Sequence, residues 1–311
     1  MGGTRLALHA GAGAIPSAAD DTRYARVARQ GIESALAAGH AALVRGSSAI
    51  DAVVETVVAL EDCEVFNAGR GSVLSSDGRV EMDASVMYGA DRDAGAVAGA
   101  TDVVNPVRAA RAVMEQSRYV FLAGPAVGRL AREVGLPTAD NDHFITEFRR
   151  AQLERAREKD HVTLDFDTDV GGTVGAVALD TAGHLAAATS TGGLTNKLPG
   201  RVSDSCQIGS GTWADDATCA VSGTGRGEIF IRCAFAHEID AKIRYSGLSL
   251  AEACEGALAT VGALEGLGGC VAVDTSGRVA MPFNTRGMPR GFVTDDGVAR
   301  IAVHPEDMLD P

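Results

Sequence analysis

The stretch GGTVGAVALD, residues 171–180, places a threonine directly after two glycines and before an apolar run. A threonine hydroxyl is a weak nucleophile, and one way to activate it is to make the threonine a chain N-terminus, where its own α-amine serves as the base. If Thr173 attacked the carbonyl of Gly172, an N-to-O acyl shift would form an ester, and hydrolysis would release that terminus. Glycine at 172 leaves the carbonyl accessible. The alternative is a plain turn before a strand.

Two glycine-rich segments suggest a second kind of chemistry, the binding of a nucleotide. GAGAI at 11–15 and GTGRGE at 223–228 are similar to phosphate-binding loops. However, the glycines at 223, 225 and 227 lack the GxGxxG spacing, the sequence contains no GxxxxGKS/T motif, and no acidic residue is placed to bind a ribose. The sequence therefore argues against a nucleotide-binding protein.

Composition and charge limit the partners. The 311 residues include 41 acidic and 28 basic ones, and the net charge of -13 disfavours nucleic acid and anionic membranes as partners. No apolar run reaches the ~18 residues of a membrane-spanning helix. The six cysteines have no CxxC spacing and the seven histidines show no metal-binding pattern, so we predict neither a zinc site nor disulfides. A cytoplasmic protein is the simplest interpretation.

Hydrophobic periodicity predicts the elements that precede Thr173. A strand at 4–9 runs into the first glycine-rich turn, and a helix over 21–45 is followed by one that opens with Ser48 and Asp51 in capping-box spacing. A loop and a hairpin follow, and then a helical stretch over 105–135. This order begins a layered α/β domain.

After Thr173 the pattern changes to strands. VGAVALD and HLAAATS flank a short turn and predict a hairpin. Further strands are expected at 218–223, 269–274 and 277–283, with helices at 227–245 and 249–264. The charged segment 141–170 is the best linker candidate, and a solvated amphipathic helix is the alternative, above all for its first half.

Five sequence blocks together carry a family resemblance. They are HAGAGAI, CEVFNAGRGS, GGTVGAVALD, ATSTGGLTNKLPGRVSDS and VSGTGRGEIFIR. In this order they resemble the plant-type L-asparaginase and isoaspartyl peptidase family of N-terminal-nucleophile hydrolases, over nearly the whole chain. The resemblance implies an α+β fold, a four-layer αββα sandwich forming one domain. It also implies cleavage into an α subunit (1–172, with a linker over about 150–172) and a β subunit (173–311), and a dimer of the processed αβ units.

The resemblance also assigns the reacting residues. It implies that Thr173 is the nucleophile, released by cleavage after Gly172, and that Thr191 orients or activates its hydroxyl. Thr224 and Gly225 match the oxyanion hole, formed by a hydroxyl and a backbone N–H that also contact the substrate. The implied reaction is hydrolysis of L-asparagine or β-aspartyl dipeptides without a catalytic cofactor.

Four further residues are assigned to binding and support. Arg201 and Asp204 match the pair that binds the α-carboxylate and α-amino group of the substrate. The chemistry agrees, because a guanidinium can donate two hydrogen bonds to a carboxylate, and a carboxylate can accept from an ammonium. A surface salt bridge between residues three apart is the alternative interpretation. Asn67 matches a residue near the new terminus, and Gly11 belongs to the same neighbourhood.

The resemblance further implies a structural sodium ion. Main-chain carbonyls suit such a hard cation, and they impose no residue type. The matching loop residues are Leu60, Glu61, Cys63, Phe66, Ala68 and Arg70.

Three positions depart from the family pattern, and none of them removes a reacting group. Ala10 stands where the family has glycine, and Gly223 where it often has cysteine, a change that could loosen the oxyanion strand. Arg226 could shift the preference between asparagine and dipeptides. The alternative function is that of an uncleaved precursor acting as a scaffold or binding module.

Overall fold

The computed structural model describes residues 3–15, 23–158, 172–294, 296–304, 306–307 and 309. Within them the strands form one eight-stranded and one four-stranded sheet. The larger sheet has the spatial order β12-β11-β1-β5-β6-β2-β3-β4, and the smaller has the order β10-β9-β8-β7. The strands are β1 (Arg5–His9), β2 (Met82–Tyr88), β3 (Ala94–Ala100), β4 (Phe121–Ala123), β5 (Val174–Leu179), β6 (Leu185–Thr191), β7 (Thr212–Ala214), β8 (Cys219–Gly225), β9 (Gly268–Asp274), β10 (Val279–Ala280), β11 (Arg290–Val293) and β12 (Ala299–Ala302).

Helices cover the outer face of each sheet. Those on the larger sheet are α1 (Arg23–Val44), α2 (Ala49–Glu61), α3 (Pro106–Gln116) and α4 (Pro125–Glu133), and a further helix is α5 (Glu147–Glu158). Those on the smaller sheet are α6 (Gly227–Cys233), α7 (Phe235–Ser246) and α8 (Leu250–Ala263). The expected four-layer αββα arrangement is confirmed.

The side chains of strand β1 alternate between two apolar cores. Leu6 and Leu8 point to the helix side of the larger sheet, whereas Ala7 points into the apolar layer between the two sheets. Successive side chains of a strand face opposite sides of its sheet, so a strand buried on both faces must be apolar at every position. Strand β5 shows the same pattern and is buried throughout.

Several predicted helices were correct in place and wrong in extent. The capping box of α2 is present, with Ser48 Oγ donating to Asp51 at 2.6 Å. The predicted helix over 105–135 is divided into α3, β4 and α4, because Gly124 has a φ of 58° and Pro125 can only start a new helix. The helix expected over 227–245 is divided by Ala234, whose φ of 45° is left-handed.

The segment before Thr173 is only partly described. Helix α5 confirms that the first half of the charged segment is helical, and it occupies the beginning of the predicted linker. Residues 159–171 lie outside the described part of the chain. Among the helices that are described, none combines the length and the apolar character needed to cross a membrane.

Candidate active site

Thr173 stands immediately before β5 and is buried. Its hydroxyl donates to Oγ1 of Thr191 at 3.1 Å and accepts from the hydroxyl of Ser205 at 3.4 Å. Strands β5 and β6 are antiparallel with Val174 opposite Ser190, so the start of one strand lies beside the end of the other. This pairing brings Thr173 and Thr191 together, although 17 residues separate them in the sequence.

Thr191 is held in place by the loop that follows it. The backbone N–H of Gly193 donates to Thr191 Oγ1 at 3.0 Å. Asn67 in turn donates from Nδ2 to the carbonyl of Gly193 at 2.8 Å, and its Oδ1 accepts from the N–H of Val73 at 2.9 Å. Asn67 therefore acts on Thr173 through Thr191 and its loop, as a support rather than as a direct partner.

Gly11 lies against the Gly172–Thr173 peptide. A Cβ atom at Gly11 would stand 2.5 Å from the backbone nitrogen of Gly172, and Gly11 has a φ of 104° that favours glycine. A Cβ atom at Gly172 would in turn stand 3.3 Å from Oγ1 of Thr224. The structure thus brings the predicted oxyanion hydroxyl, the predicted cleavage peptide and Gly11 to one place.

The strand that carries Thr224 and Gly225 is packed without a gap. A Cβ at Gly225 would meet the carbonyl of Leu267 and the ring of Phe230, both at 2.6 Å. At Gly223, where the family often has cysteine, the ring of Phe230 lies 3.1 Å and that of Phe235 3.5 Å from the position of a Cβ. Two phenylalanine rings therefore occupy the space beside Gly223.

Arg201 and Asp204 meet at Gly227. A Cβ on that glycine would lie 2.8 Å from both Arg201 Nη2 and Asp204 Oδ1. Asp204 is buried, and its Oδ2 has no hydrogen-bond partner in the described part of the chain. Burial raises the pKa of Asp204 to about 7, although the nearby Arg201 charge opposes the shift. An ammonium placed at Oδ2 would satisfy this carboxylate and favour its ionised form.

A chain of buried polar side chains connects the two sheets below the site. His9 Nε2 lies 3.0 Å from Ser222 Oγ, which lies 2.7 Å from Thr189 Oγ1. Thr212 donates to Thr189 at 2.6 Å, and Ser85 donates to Thr212 at 2.8 Å. All five side chains are fully buried. They come from five separate strands, so no sequence spacing could have indicated this network.

His9 is the member of this network nearest to the nucleophile. Burial lowers the pKa of His9 to about 3, against an opposing contact with the backbone of Thr173. The imidazole is therefore neutral at physiological pH and adds no positive charge beside Thr173. No motif in the sequence indicated this position of His9.

Lys197 is a second residue that sequence reasoning did not find. Its ammonium group is buried and donates to the carbonyls of Gly192 at 2.9 Å and Glu81 at 2.7 Å. Burial lowers the pKa of Lys197, and the charges of Asp83 and Glu81 oppose the change. Lys197 therefore fixes the segment between Thr191 and Arg201 on its inner side.

The predicted cation loop, residues 60–70, is compact and connected to the site. The N–H of Arg70 donates to the carbonyl of Glu61 at 2.9 Å, and that of Phe66 donates to the carbonyl of Cys63 at 3.1 Å. Each carbonyl oxygen keeps a second lone pair, so the donor chemistry fits a hard cation. The Glu61 carboxyl accepts from the hydroxyl of Ser190 at 2.6 Å, which joins this loop to the strand ending at Thr191.

Known proteins resemble this chain over nearly its whole length. The sequence profile of the asparaginase family matches residues 2–303. An isoaspartyl peptidase of Escherichia coli (strain K12) is 46% identical over 299 residues, which are 94% of this chain and 93% of the relative. An isoaspartyl peptidase/L-asparaginase of Homo sapiens is 40% identical over 299 residues, covering 96% and 95% of the two chains. The chain therefore belongs to the asparaginase family that contains the isoaspartyl peptidases.

Proposed function

We propose that this protein cleaves itself between Gly172 and Thr173 and then hydrolyses the side-chain amide of L-asparagine and of β-aspartyl dipeptides. The observation that carries the proposal is the hydroxyl of Thr173, buried between the hydroxyls of Thr191 and Ser205 and directly after a glycine peptide. The names of the relatives support the same two substrates.

The first step is maturation. The oxygen of Thr173 attacks the carbonyl carbon of Gly172, and the proton of its hydroxyl passes by way of Oγ1 of Thr191, the atom that accepts it in the structure, to the amide nitrogen of Thr173. The C–N bond breaks, the nitrogen takes up a proton, and an ester joins Gly172 to the Thr173 oxygen. Water then hydrolyses the ester and leaves a free α-amine on Thr173, with a reference pKa of about 7.7 to 8.0 that suits a general base at neutral pH.

The second step is turnover of substrate. The α-amine of Thr173 takes the proton of its own hydroxyl, and the oxygen attacks the side-chain carbonyl of the substrate. Thr224 and the N–H of Gly225 donate to the negative oxygen of the tetrahedral intermediate, an interaction that is worth about 3 to 4 kcal/mol per donor. Ammonia or the amine of a dipeptide leaves, and water hydrolyses the β-aspartyl ester.

Recognition of the aspartyl part is assigned to Arg201 and Asp204. The guanidinium binds the α-carboxylate, and the buried Asp204 accepts from the α-ammonium through the oxygen that has no partner within the described residues. A zwitterion therefore satisfies both residues, whereas a ligand that lacks the α-ammonium leaves the buried Asp204 oxygen without a partner within the described residues.

Three further features belong to the proposal. Main-chain carbonyls of loop 60–70 would hold a sodium ion and stiffen the loop, and a higher melting temperature in sodium chloride than in choline chloride would support this.

A dimer of processed αβ units is proposed from the family resemblance. A cytoplasmic location is proposed because the six cysteines are free and scattered. The contact with Cys270 and then burial raise the thiol pKa of Cys254, and burial raises that of Cys219, so both are far from the reactive range.

The test is an assay of purified wild-type protein with three substrates. L-Asparagine should release ammonia, β-Asp-Leu should release leucine, and L-glutamine, whose amide lies one methylene further from the α-carbon, should be a poor substrate. The Thr173→Ala protein is the control and should be inactive with all three. Wild-type protein that is inactive with both asparagine and β-Asp-Leu would refute the proposed function.

A further inference from the structure

Arg201 has a second carboxylate neighbour, Glu228, in addition to Asp204. Arg201 Nε is 3.0 Å and Arg201 Nη2 is 2.9 Å from the same carboxylate oxygen of Glu228. The Arg201 side chain is 15% exposed and that of Glu228 is 49% exposed, so the pair lies where the pocket meets solvent. Glu228 therefore occupies one edge of the guanidinium fork.

The opposite edge of the fork is turned toward the reacting centre. A Cβ at Gly193 would lie 3.3 Å from Arg201 Nη1, and Gly193 is the residue whose N–H holds Thr191. A Cβ at Gly227 would lie 2.8 Å from Nη2. The guanidinium can approach both residues this closely because neither has a side chain, and Glu228 holds the edge formed by Nε and Nη2, so the Nη1 side stays available for a carboxylate.

Arg201 also has a like charge nearby. Lys197 Nζ and Arg201 Nη1 both lie beside Gly193. A Cβ atom on this glycine would be 3.0 Å from Nζ and 3.3 Å from Nη1. Two cations around one glycine repel each other, and the repulsion favours rotation of the longer and more exposed Arg201 side chain into solvent. A carboxylate on the outer edge of Arg201 opposes this movement.

We propose that Glu228 is a positioning residue that fixes Arg201 in the orientation that binds the α-carboxylate of the substrate. This inference rests on the proposed function of Arg201. Glu228 acts on the bound carboxylate through Arg201, and, together with burial, its charge also helps to raise the pKa of the neighbouring Asp204. Its removal should therefore weaken binding of the free ligand and leave the chemical step of the bound substrate unchanged.

The test compares Glu228→Ala, Glu228→Gln and wild type, all as processed protein. The alanine variant should raise KM for L-asparagine and Kd for L-aspartate about three- to tenfold, because a rotamer-rich side chain must then be immobilised on binding. The kcat and the melting temperature should remain unchanged, since an exposed ion pair contributes little to stability. Glutamine keeps an acceptor oxygen for Nε and Nη2 and should restore most of the affinity.

Glu238→Ala is the matched control. Glu238 forms a similarly exposed ion pair with Lys242, at 3.2 Å on α7, and its loss should change neither KM nor Kd. An unchanged KM and Kd in Glu228→Ala would overturn the inference. A lower KM or Kd in either Glu228 variant would also overturn it, because Glu228 would then compete with the substrate carboxylate.

Calorimetry with L-aspartate separates this inference from the proposed function. Aspartate binding needs Arg201 in place and needs no turnover. Wild-type protein that binds aspartate but hydrolyses nothing would refute the proposed function alone, and the Kd values of the Glu228 variants would still decide the inference. Wild-type protein that hydrolyses asparagine but shows the same KM in the Glu228 variants, or that binds no aspartate, would overturn the inference and leave the proposed function intact.

Discussion

Gly11 and Gly172 approach so closely that a Cβ on Gly11 would stand 2.5 Å from the nitrogen of Gly172. The approach fixes the peptide before Thr173, and it tolerates no side chain. We therefore predict that Gly11→Ala displaces the Gly172–Thr173 peptide and slows or abolishes self-cleavage. The measurement is the mass of the purified variant under denaturing conditions after days at neutral pH.

Gly183→Ala is the control for this prediction. Gly183 also has a positive φ, 86°, but a Cβ there would meet no atom of the described residues within 4 Å. It should lose about 1 kcal/mol of stability from backbone strain and still be cleaved. Equal and complete cleavage of both variants would show that the contact between Gly11 and Gly172 does not control maturation.

The hydroxyl of Thr191 should matter for the rate. Thr191→Val keeps the shape of the side chain but removes the oxygen that accepts from Thr173 and from the N–H of Gly193. We predict a fall in kcat of about a hundredfold, because the Thr173 oxygen loses the contact that orients it and a displacement of about 1 Å can cost that much in rate. Thr191→Ser, which keeps the oxygen, should retain most of the activity of processed protein. A valine variant with near wild-type kcat would contradict this role.

Protonation of Asp204 should lower the activity at acidic pH. Its pKa in the free protein is raised to about 7 by burial, so the carboxylate that binds the substrate ammonium is lost as the pH falls below that value. We predict that kcat/KM for asparagine decreases below about pH 7 and that Ki for L-aspartate increases in parallel. Because the Thr173 amine also titrates, Ki is the discriminating measurement. A Ki that is constant down to the ordinary pKa of 3.8 would contradict the assignment.

Asp204 should also make folding stability depend on pH. The pKa of Asp204 in the folded protein lies above its ordinary value of 3.8, so the folded state binds more protons and the free energy of unfolding falls as pH rises from 3.8 to about 7. Asp204→Asn cannot ionise and should lack this part of the pH dependence. Urea denaturation of both proteins across this range measures the difference, and parallel curves would refute the prediction.

Lys197 should contribute to both stability and rate. Lys197→Met leaves the buried carbonyls of Gly192 and Glu81 without their donor, which should cost about 2 to 4 kcal/mol. Activity should also fall, because Gly192 lies between Thr191 and the loop that holds it. Lys242→Met, which removes a partly exposed cation from α7, is the control and should change stability little. Equal unfolding free energies for the two variants would contradict the prediction.

The features predicted correctly from the sequence are those that local residue patterns determine, such as strands and hairpins. The alternation of apolar residues on both sides of Thr173 predicts β5 and β6, and their hairpin alone brings Thr173 beside Thr191. The helix boundaries failed at Ala234, because a left-handed alanine is set by the packing of its neighbours and has no sequence signal comparable to glycine.

The missed residues share one cause. Glu228 reaches Arg201 across 27 positions, and Ser222 reaches His9 across 213, through contacts that exist only after the sheets have stacked. From the sequence alone Lys197 is expected at the surface, because lysine is rarely buried. Its burial depends on the carbonyls that the fold places around it. Long-range polar partners of this kind have no periodicity that a single sequence could reveal.

The central claim is that Thr173 becomes an N-terminal nucleophile by cleaving its own chain. The most direct measurement is the intact mass of freshly purified wild-type protein and of Thr173→Ala under denaturing conditions. We predict two fragments, 1–172 and 173–311, from the wild type and one whole chain from the variant. A wild-type chain that stays whole after days at neutral pH, or a variant that is cleaved at the same bond, would contradict the account.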